Sequence, residues 1–195
     1  MSSHHIIRDE QEPALLIADP EADYGLVQQL LEWSPVVVVI AECLPRVLNW
    51  GIKIDKLVCQ PDRQAEYKVL IEHQMPVEIW TTTEYAPLAG VKHLLGLQQK
   101  AINVLLPIGP AYFAQLRSQW TELAGQIPLV FYGNNWKGYL ITDSFKKWVA
   151  AGTRFAIEQP AEAPSLNHQD GLVWAKEQAG MVDIRTKVPI FILEH

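Results

Sequence analysis

The sequence predicts an α/β fold, with a parallel-sheet domain over residues 1–125 followed by a small antiparallel β-domain over residues 126–195. Three observations predict it. Short β-branched apolar runs alternate with helical patterns from Ala14 to Ala124. That alternation stops near Gln126-Ile127-Pro128, beyond which only short strands separated by turn signals remain. Nearly half of the 195 residues are hydrophobic (49%), enough to bury a sizeable core in one ordinary or two small domains.

Taken in order, Ala14–Ala18 reads as the first strand. Asp19-Pro20 then starts a helix, because Asp caps well and Pro suits a first turn. Leu26, Val27, Leu30 and Leu31 give that helix its apolar stripe. Val36–Ile40 is too short and too β-branched for a helix and reads as a buried strand. A short helix over Leu44–Trp50 and a strand over Lys56–Cys59 follow. Arg63–His73 is helical with Asp62 placed to cap it, and Val77–Trp80 is a strand. Glu84–Gln99 is a longer helix that holds Pro87 in its first turn. Ala101–Leu106 is a strand and Ala111–Ala124 a helix. Such regular alternation implies β-α-β units with right-handed crossovers.

The second part reads as strands at Leu129–Tyr132, Gly138–Thr142, Arg154–Glu158, Val182–Thr186 and Pro189–Leu193. Gly133-Asn134-Asn135, Ala151-Gly152 and a polar loop over Pro160–Gly171 separate them. No internal repeat, low-complexity segment or long linker is present in the sequence.

Composition excludes several classes of function. A net charge of −6 without a Lys/Arg cluster argues against nucleic acid. The longest apolar run, around Val36–Ala41, is far short of the ~20 residues that a bilayer span needs. Met1–Glu12 is polar and lacks the apolar core of an export signal, so the expected compartment is the cytoplasm. Cys43 and Cys59 have no metal-binding spacing and are expected to be free thiols. The final Leu193-Glu194-His195 has the look of a purification-tag remnant.

The most specific motif is VVVVIAECLPRVLNWGIKIDKLVCQPDR, residues 36–63. A strand runs into a short helix, then Gly51-Ile52-Lys53-Ile54-Asp55, then a second strand ending in Gln60-Pro61-Asp62-Arg63. This resembles the thiamine pyrophosphokinase family. There the first strand ends in a D-G-G or D-R-G turn, GI-x-P-D follows, and the second strand ends in G-D-F-D-S. In the second domain, Gly171-Leu172-Val173-Trp174 resembles the family's G-L-K-W/Y segment and Val188–Leu193 its closing strand. Ala151-Gly152-Thr153-Arg154-Phe155 resembles the stretch before the family's S-L-x-P strand. The resemblance covers most of the chain at low similarity. It implies a Rossmann-like catalytic-type domain followed by a thiamine-binding β-sandwich, and a homodimer with the cleft between subunits.

The family transfers diphosphate from ATP to thiamine, with aspartates at the carboxyl ends of parallel strands holding magnesium. At the corresponding positions most of the acids are missing. The first acid falls on Ala41, with Glu42 next to it, and the two following glycines fall on Glu42 and Cys43. In the G-D-F-D-S segment only the second aspartate survives, as Asp62; Gln60 replaces the first and Arg63 the serine. The T-D pair falls within Thr81-Thr82-Thr83-Glu84-Tyr85, which has no aspartate. The G-G-R-x-D-H segment falls on Ile108–Phe113, where Gly109 alone remains. Ala175–Lys187 is too short for the family's serine-bearing loop. One well-placed charged contact in phosphoryl transfer is worth about 10³ or more in rate, so the expectation is a catalytically inactive relative. It would bind a small molecule in the old cleft or serve as a dimeric partner, with no cofactor. The alternative is an active, divergent kinase with Mg²⁺ and ATP, which requires Glu42, Asp62 and Glu84 to converge on one ion.

The relic catalytic candidates are therefore Asp62, Glu42 and Glu84, with Asp62 the one candidate metal ligand. Thr82, Thr83, Gly109 and Trp174 are candidate ligand contacts. Each also has a plainer reading. Asp62 is a helix cap, Glu42 a solvated turn residue, the Thr81–Thr83 run a strand-to-helix cap, and Trp174 a core aromatic. Asp55 reads as structural, Cys43 and Cys59 as small buried hydrophobes. His4, His5, His73, His93 and His168 read as surface residues, and Arg46, Arg63 and Arg117 as isolated cations.

Overall fold

The computed structural model of the chain describes residues 12–195; His4 and His5 lie outside them. Its contacts divide it into two compact units, the first ending at Leu105 and the second running Leu106–His195.

The first unit is a parallel sheet with helical crossovers. In chain order it comprises β1 (Ala14–Ile17), α1 (Tyr24–Leu31), β2 (Val37–Ile40), α2 (Leu44–Asn49), β3 (Lys56–Cys59), α3 (Gln64–Leu70), β4 (Glu78–Thr81), α4 (Ala86–Gly96) and β5 (Ile102–Leu105). The strands lie side by side as β5-β1-β2-β3-β4, with β1/β5, β1/β2, β2/β3 and β3/β4 all parallel. Every residue of β1 and β2 is buried, as strands covered on both faces require. From β1 the chain steps outward strand by strand to β4, and α4 then carries it back to the far side of β1. This reversal between β1 and β5 makes a topological switch point, where open α/β sheets form a crevice at their carboxyl ends. On the way back α4 lies close on the sheet: a Cβ on Gly90 would come within 3.1 Å of the Leu16 side chain.

Two helix starts differ from expectation. Asp23, not Asp19, caps α1: its Oδ2 accepts the Leu26 N–H at 2.8 Å. Asp19 is buried at the end of β1, where its Oδ1 accepts the Glu21 N–H and holds a turn. Asp62 does not cap α3 either. Pro61–Arg63 forms a 3₁₀ turn, and no side chain caps the helix that follows. The expected Arg63–His73 helix is correspondingly shorter, with a second 3₁₀ turn over Glu72–Gln74. Asp55 has the structural role expected of it: its Oδ2 accepts the Val37 N–H at 2.9 Å, tying the start of β2 to the approach to β3.

The second unit opens with a 3₁₀ turn at Pro110–Tyr112 and α5 (Phe113–Trp120). The strands are β6 (Leu129–Gly133), β7 (Trp136–Ile141), β8 (Ser144–Val149), β9 (Arg154–Ile157), β10 (Asn167–Asp170), β11 (Val173–Ala175), β12 (Gly180–Arg185) and β13 (Ile190–Glu194). Strands β10-β11-β9-β13-β7-β6 form one antiparallel sheet, and β12 and β8 pair as a two-stranded antiparallel sheet. Phe155, Ile157, Ile190 and Ile192 from the large sheet meet Val149, Val182 and Ile184 from the small one in a shared core, which makes the unit a β-sandwich. On the other face Trp120 of α5 packs edge-on against Phe131, and Phe131 against Phe191.

This packing places α5 with the β-domain, so the compact units divide upstream of the boundary near residue 126 that the sequence pattern suggests. A charged clamp reinforces it. Arg117 of α5 donates from Nε to the buried Glu158 Oε1 at 2.6 Å and from Nη2 to the Gln159 carbonyl, while Glu158 Oε2 accepts the Phe191 N–H. Arg117 is thus not an isolated cation. Asn134 and Asn135 both have positive φ, 51° and 63°, and close the β6–β7 hairpin in a tight turn. Beside it Gly133 admits no side chain, since a Cβ would lie 2.0 Å from the Leu106 carbonyl oxygen.

The C-terminal residues Leu193-Glu194-His195 are part of the fold. Leu193 is wholly buried and paired with Gly138 and Ala156. Glu194 accepts from Lys147 Nζ at 2.6 Å and from the Tyr139 hydroxyl at 3.0 Å. Among the described residues, no helix is long and apolar enough to cross a membrane.

Two stability measurements check this packing. Leu193→Ala is expected to lower the unfolding free energy by about 2–5 kcal/mol in urea titration, as for other wholly buried leucines; a loss below about 1 kcal/mol would show the residue dispensable. Asp55→Ala, which leaves the Val37 N–H without its acceptor, is expected to cost about 1–3 kcal/mol.

Candidate functional site

The carboxyl ends of β1 to β4 bring four short segments to one edge of the first unit's sheet. At the end of β2 the chain turns at once into a 3₁₀ turn, Ala41–Cys43. Ala41 and Cys43 are buried and Glu42 between them is exposed. Burial, helped by the charges of Asp19 and Glu42, pushes the Cys43 thiol up to about 12. At the end of β3 the Cys59 thiol is also raised, first by burial, with Arg63 opposing and Asp62 and Glu42 adding. Both thiols stay protonated at neutral pH and lack the depressed pKa of a nucleophilic cysteine.

Glu42 is the common neighbour in this arrangement, since its charge acts on Cys43, on Cys59 and on the Tyr67 phenol. Asp62 is exposed in the Pro61–Arg63 turn. Arg63, at the position of the family's serine, is engaged locally. Its guanidinium donates to both carboxylate oxygens of Glu66, at 3.1 and 2.8 Å, and lies 4.7 Å from the Tyr67 ring centre. Arg63 is therefore paired, contrary to its reading as an isolated cation.

After β4, Thr82 Oγ1 accepts the Glu84 N–H at 3.0 Å and closes a turn before α4, while Thr83 is exposed. Glu84 lies ahead of the helix, which starts at Ala86, and its carboxylate pairs with Lys92 at 3.5 Å. Thr82 and Glu84 are thus brought together, by their own turn. Glu42, Asp62 and Glu84 do not form a metal cage: among the described residues no three His, Cys, Asp or Glu side chains are placed to hold a metal ion. These residues therefore make no protein-only cage, whereas Mg²⁺ in a phosphoryl-transfer site takes one or two carboxylates together with the substrate's own phosphates.

Asp19 is the residue at this edge that sequence reasoning passed over. It is buried at the end of β1, beside the switch point, and its charge reaches Cys43. The signal was available, as an acid directly after a fully apolar strand, but its resemblance to a helix cap concealed it.

The remaining candidates lie in the second unit. Gly109 precedes the Pro110–Tyr112 turn with an extended backbone, and its carbonyl accepts the Tyr112 N–H at 2.9 Å. A Cβ there would meet the Tyr112 ring at an ordinary 3.7 Å, so the conformation does not demand glycine. Trp174, on β11, packs against the sandwich core with His168 edge-on at 4.9 Å. Among the described residues its buried indole N–H has no hydrogen-bond partner.

No family model matches the chain, and no curated protein matches it. Solved structures do. A protein from Lactobacillus plantarum is 12% identical, with 94% of this chain and 97% of that one covered and a TM-score of 0.68. Thiamin pyrophosphokinase from Candida albicans is 10% identical, with 95% and 89% covered and a TM-score of 0.68. Thiamine pyrophosphokinase from Bacillus subtilis is 8% identical, with 93% and 98% covered and a TM-score of 0.64. The chain thus has the thiamine pyrophosphokinase fold, an α/β domain joined to a β-sandwich, on a sequence very distant from those structures.

Proposed function

We propose that this chain is a catalytically inactive protein built on the thiamine pyrophosphokinase fold, one that binds a small molecule at the carboxyl edge of its parallel sheet and acts as a homodimer. The observation that carries the reading is the pairing of charges at that edge. Gln60 and Ala41 bring no charge, Glu84 is paired with Lys92 at 3.5 Å, and Arg63 occupies a family serine position with its own carboxylate partner in Glu66. Glu42 and Asp62 remain on neighbouring strand ends with Asp19 buried at the end of β1, fewer acids than the several aspartates with which the resembled family holds Mg²⁺.

A partner role is supported by the outer face of the small sheet. Trp148 and Met181 sit directly opposite each other across β8 and β12, 63% and 57% exposed. Large exposed apolar side chains placed together mark interaction surfaces.

The reading is tested by incubating the protein with thiamine and Mg-ATP and measuring thiamine diphosphate and AMP. Turnover is expected to stay below roughly 0.1 s⁻¹, a slow rate even for an ordinary enzyme; faster turnover would establish an active, divergent kinase. A thermal-shift series with thiamine, thiamine diphosphate, ATP and AMP separates a binder from a scaffold, since a ligand at 100 times its Kd stabilises by about 2.7 kcal/mol. Sedimentation analysis is expected to find a dimer that Trp148→Glu weakens; a wild-type monomer at micromolar concentration would contradict the partner role.

A further inference from the structure

At the opposite, amino end of the first unit's sheet is a cleft of about 660 Å³, within the range of small-molecule sites. One wall is α1 and its connection into β2; the other is the connection from α2 into β3. Tyr24, Gln28 and Glu32 all line it. Their spacing of four residues stacks an aromatic ring, an amide and a carboxylate along one helix face on successive turns.

Two features make this more than a surface groove. The aromatic wall is set in advance: Tyr24 stacks on Trp50 at 5.3 Å and 27°, and the Arg46 guanidinium lies 5.4 Å from the Trp50 ring centre. Gln28 and Glu32 have no side-chain hydrogen bond or ion pair among the described residues, so their polar atoms are available to a ligand. The cleft's other charges are used internally. Lys53 pairs with Asp55 at 3.3 Å, and Asp55 holds the Val37 N–H.

The chemistry selects a ligand class. The stacked Tyr24–Trp50 pair offers a preformed aromatic surface to a flat ring. An amide that both donates and accepts, beside a carboxylate that only accepts, complements the edge of a ring carrying an amine and a ring nitrogen. Glu32 disfavours an anionic ligand, and among the described residues the one cation lining the cleft is Lys53, already paired. We infer that this cleft binds an uncharged, amino-substituted heteroaromatic molecule of nucleobase or nucleoside size, with the ring against the Tyr24–Trp50 pair and its amine edge against Gln28 and Glu32. The site does not depend on what the carboxyl edge binds.

Calorimetric titration with adenine, hypoxanthine, cytosine and uracil tests this, because each pair differs at the amine position. Adenine and cytosine are expected to bind with Kd of about 1 mM or tighter and about tenfold more tightly than their oxo counterparts. Glu32→Gln keeps the shape, removes the charge and lies on the surface, so an unchanged Tm is expected with the amine preference reduced to about threefold or less. Asp62→Asn is expected to leave all four affinities unchanged. The inference is overturned if none of the four binds at about 5 mM, or if the amine preference survives Glu32→Gln. Loss of binding with Asp62→Asn would also overturn it, and would place the ligand at the carboxyl edge instead, in keeping with the reading of that edge.

Discussion

The first unit rests on a parallel sheet whose central strands are apolar on both faces. β1 and β2 have no exposed residue, so neither can carry chemistry along its length. Parallel pairing also forces every strand to end at the same edge. The segments after β1 to β4 therefore gather there, as Asp19, Ala41–Cys43, Gln60–Arg63 and Thr82–Glu84. The core sees almost nothing of the residue types in these segments. A sheet of this kind keeps its shape while its loops change, which accounts for a TM-score of 0.68 at 10–12% identity.

That separation explains what could be read in advance. The five parallel strands were legible because β-branched runs such as Val37–Ile40 leave few alternatives to a buried strand. Helix starts were less so. Asp19 and Asp23 are equally good caps by local chemistry, and tertiary position decides between them, since Asp19 is held at the buried end of β1 and Asp23 stands where the helix begins. Asp62 is a similar case, because Pro61 starts a tighter 3₁₀ turn in which the carboxylate does not reach the helix. In the second unit β8, β10 and β11 went unread. Ser144–Val149 alternates weakly around two lysines, and Asn167–Asp170 is exposed throughout on an edge strand that looks like loop. The place of α5 was hidden for another reason: its apolar residues Phe113, Leu116 and Trp120 would suit either unit, and only the contacts with Phe131 and Glu158 assign it.

The candidate site was legible as a set of residue types but not as a geometry. Glu42, Asp62 and Glu84 come from three strand ends, and sequence alone says nothing of which partners each will find. Arg63 and Lys92 supply the missing information. By pairing with Glu66 and Glu84 they turn acids and bases that could have faced a ligand into local ion pairs. Exposed pairs of this kind contribute little to stability. Their consequence is electrostatic, in that they reduce the field available to a divalent cation at that edge. The two thiols, pushed upward by burial and neighbouring carboxylates, offer no nucleophile in compensation.

The central claim, that this edge does not anchor a divalent cation under a nucleotide, is tested most directly by titrating Mn²⁺ into the protein with a non-hydrolysable ATP analogue. The free-ion signal is followed by electron paramagnetic resonance. The account predicts no more bound Mn²⁺ than the nucleotide takes up without protein. One protein-dependent site per chain, with Kd below about 100 μM and lost in Asp62→Asn, would contradict it.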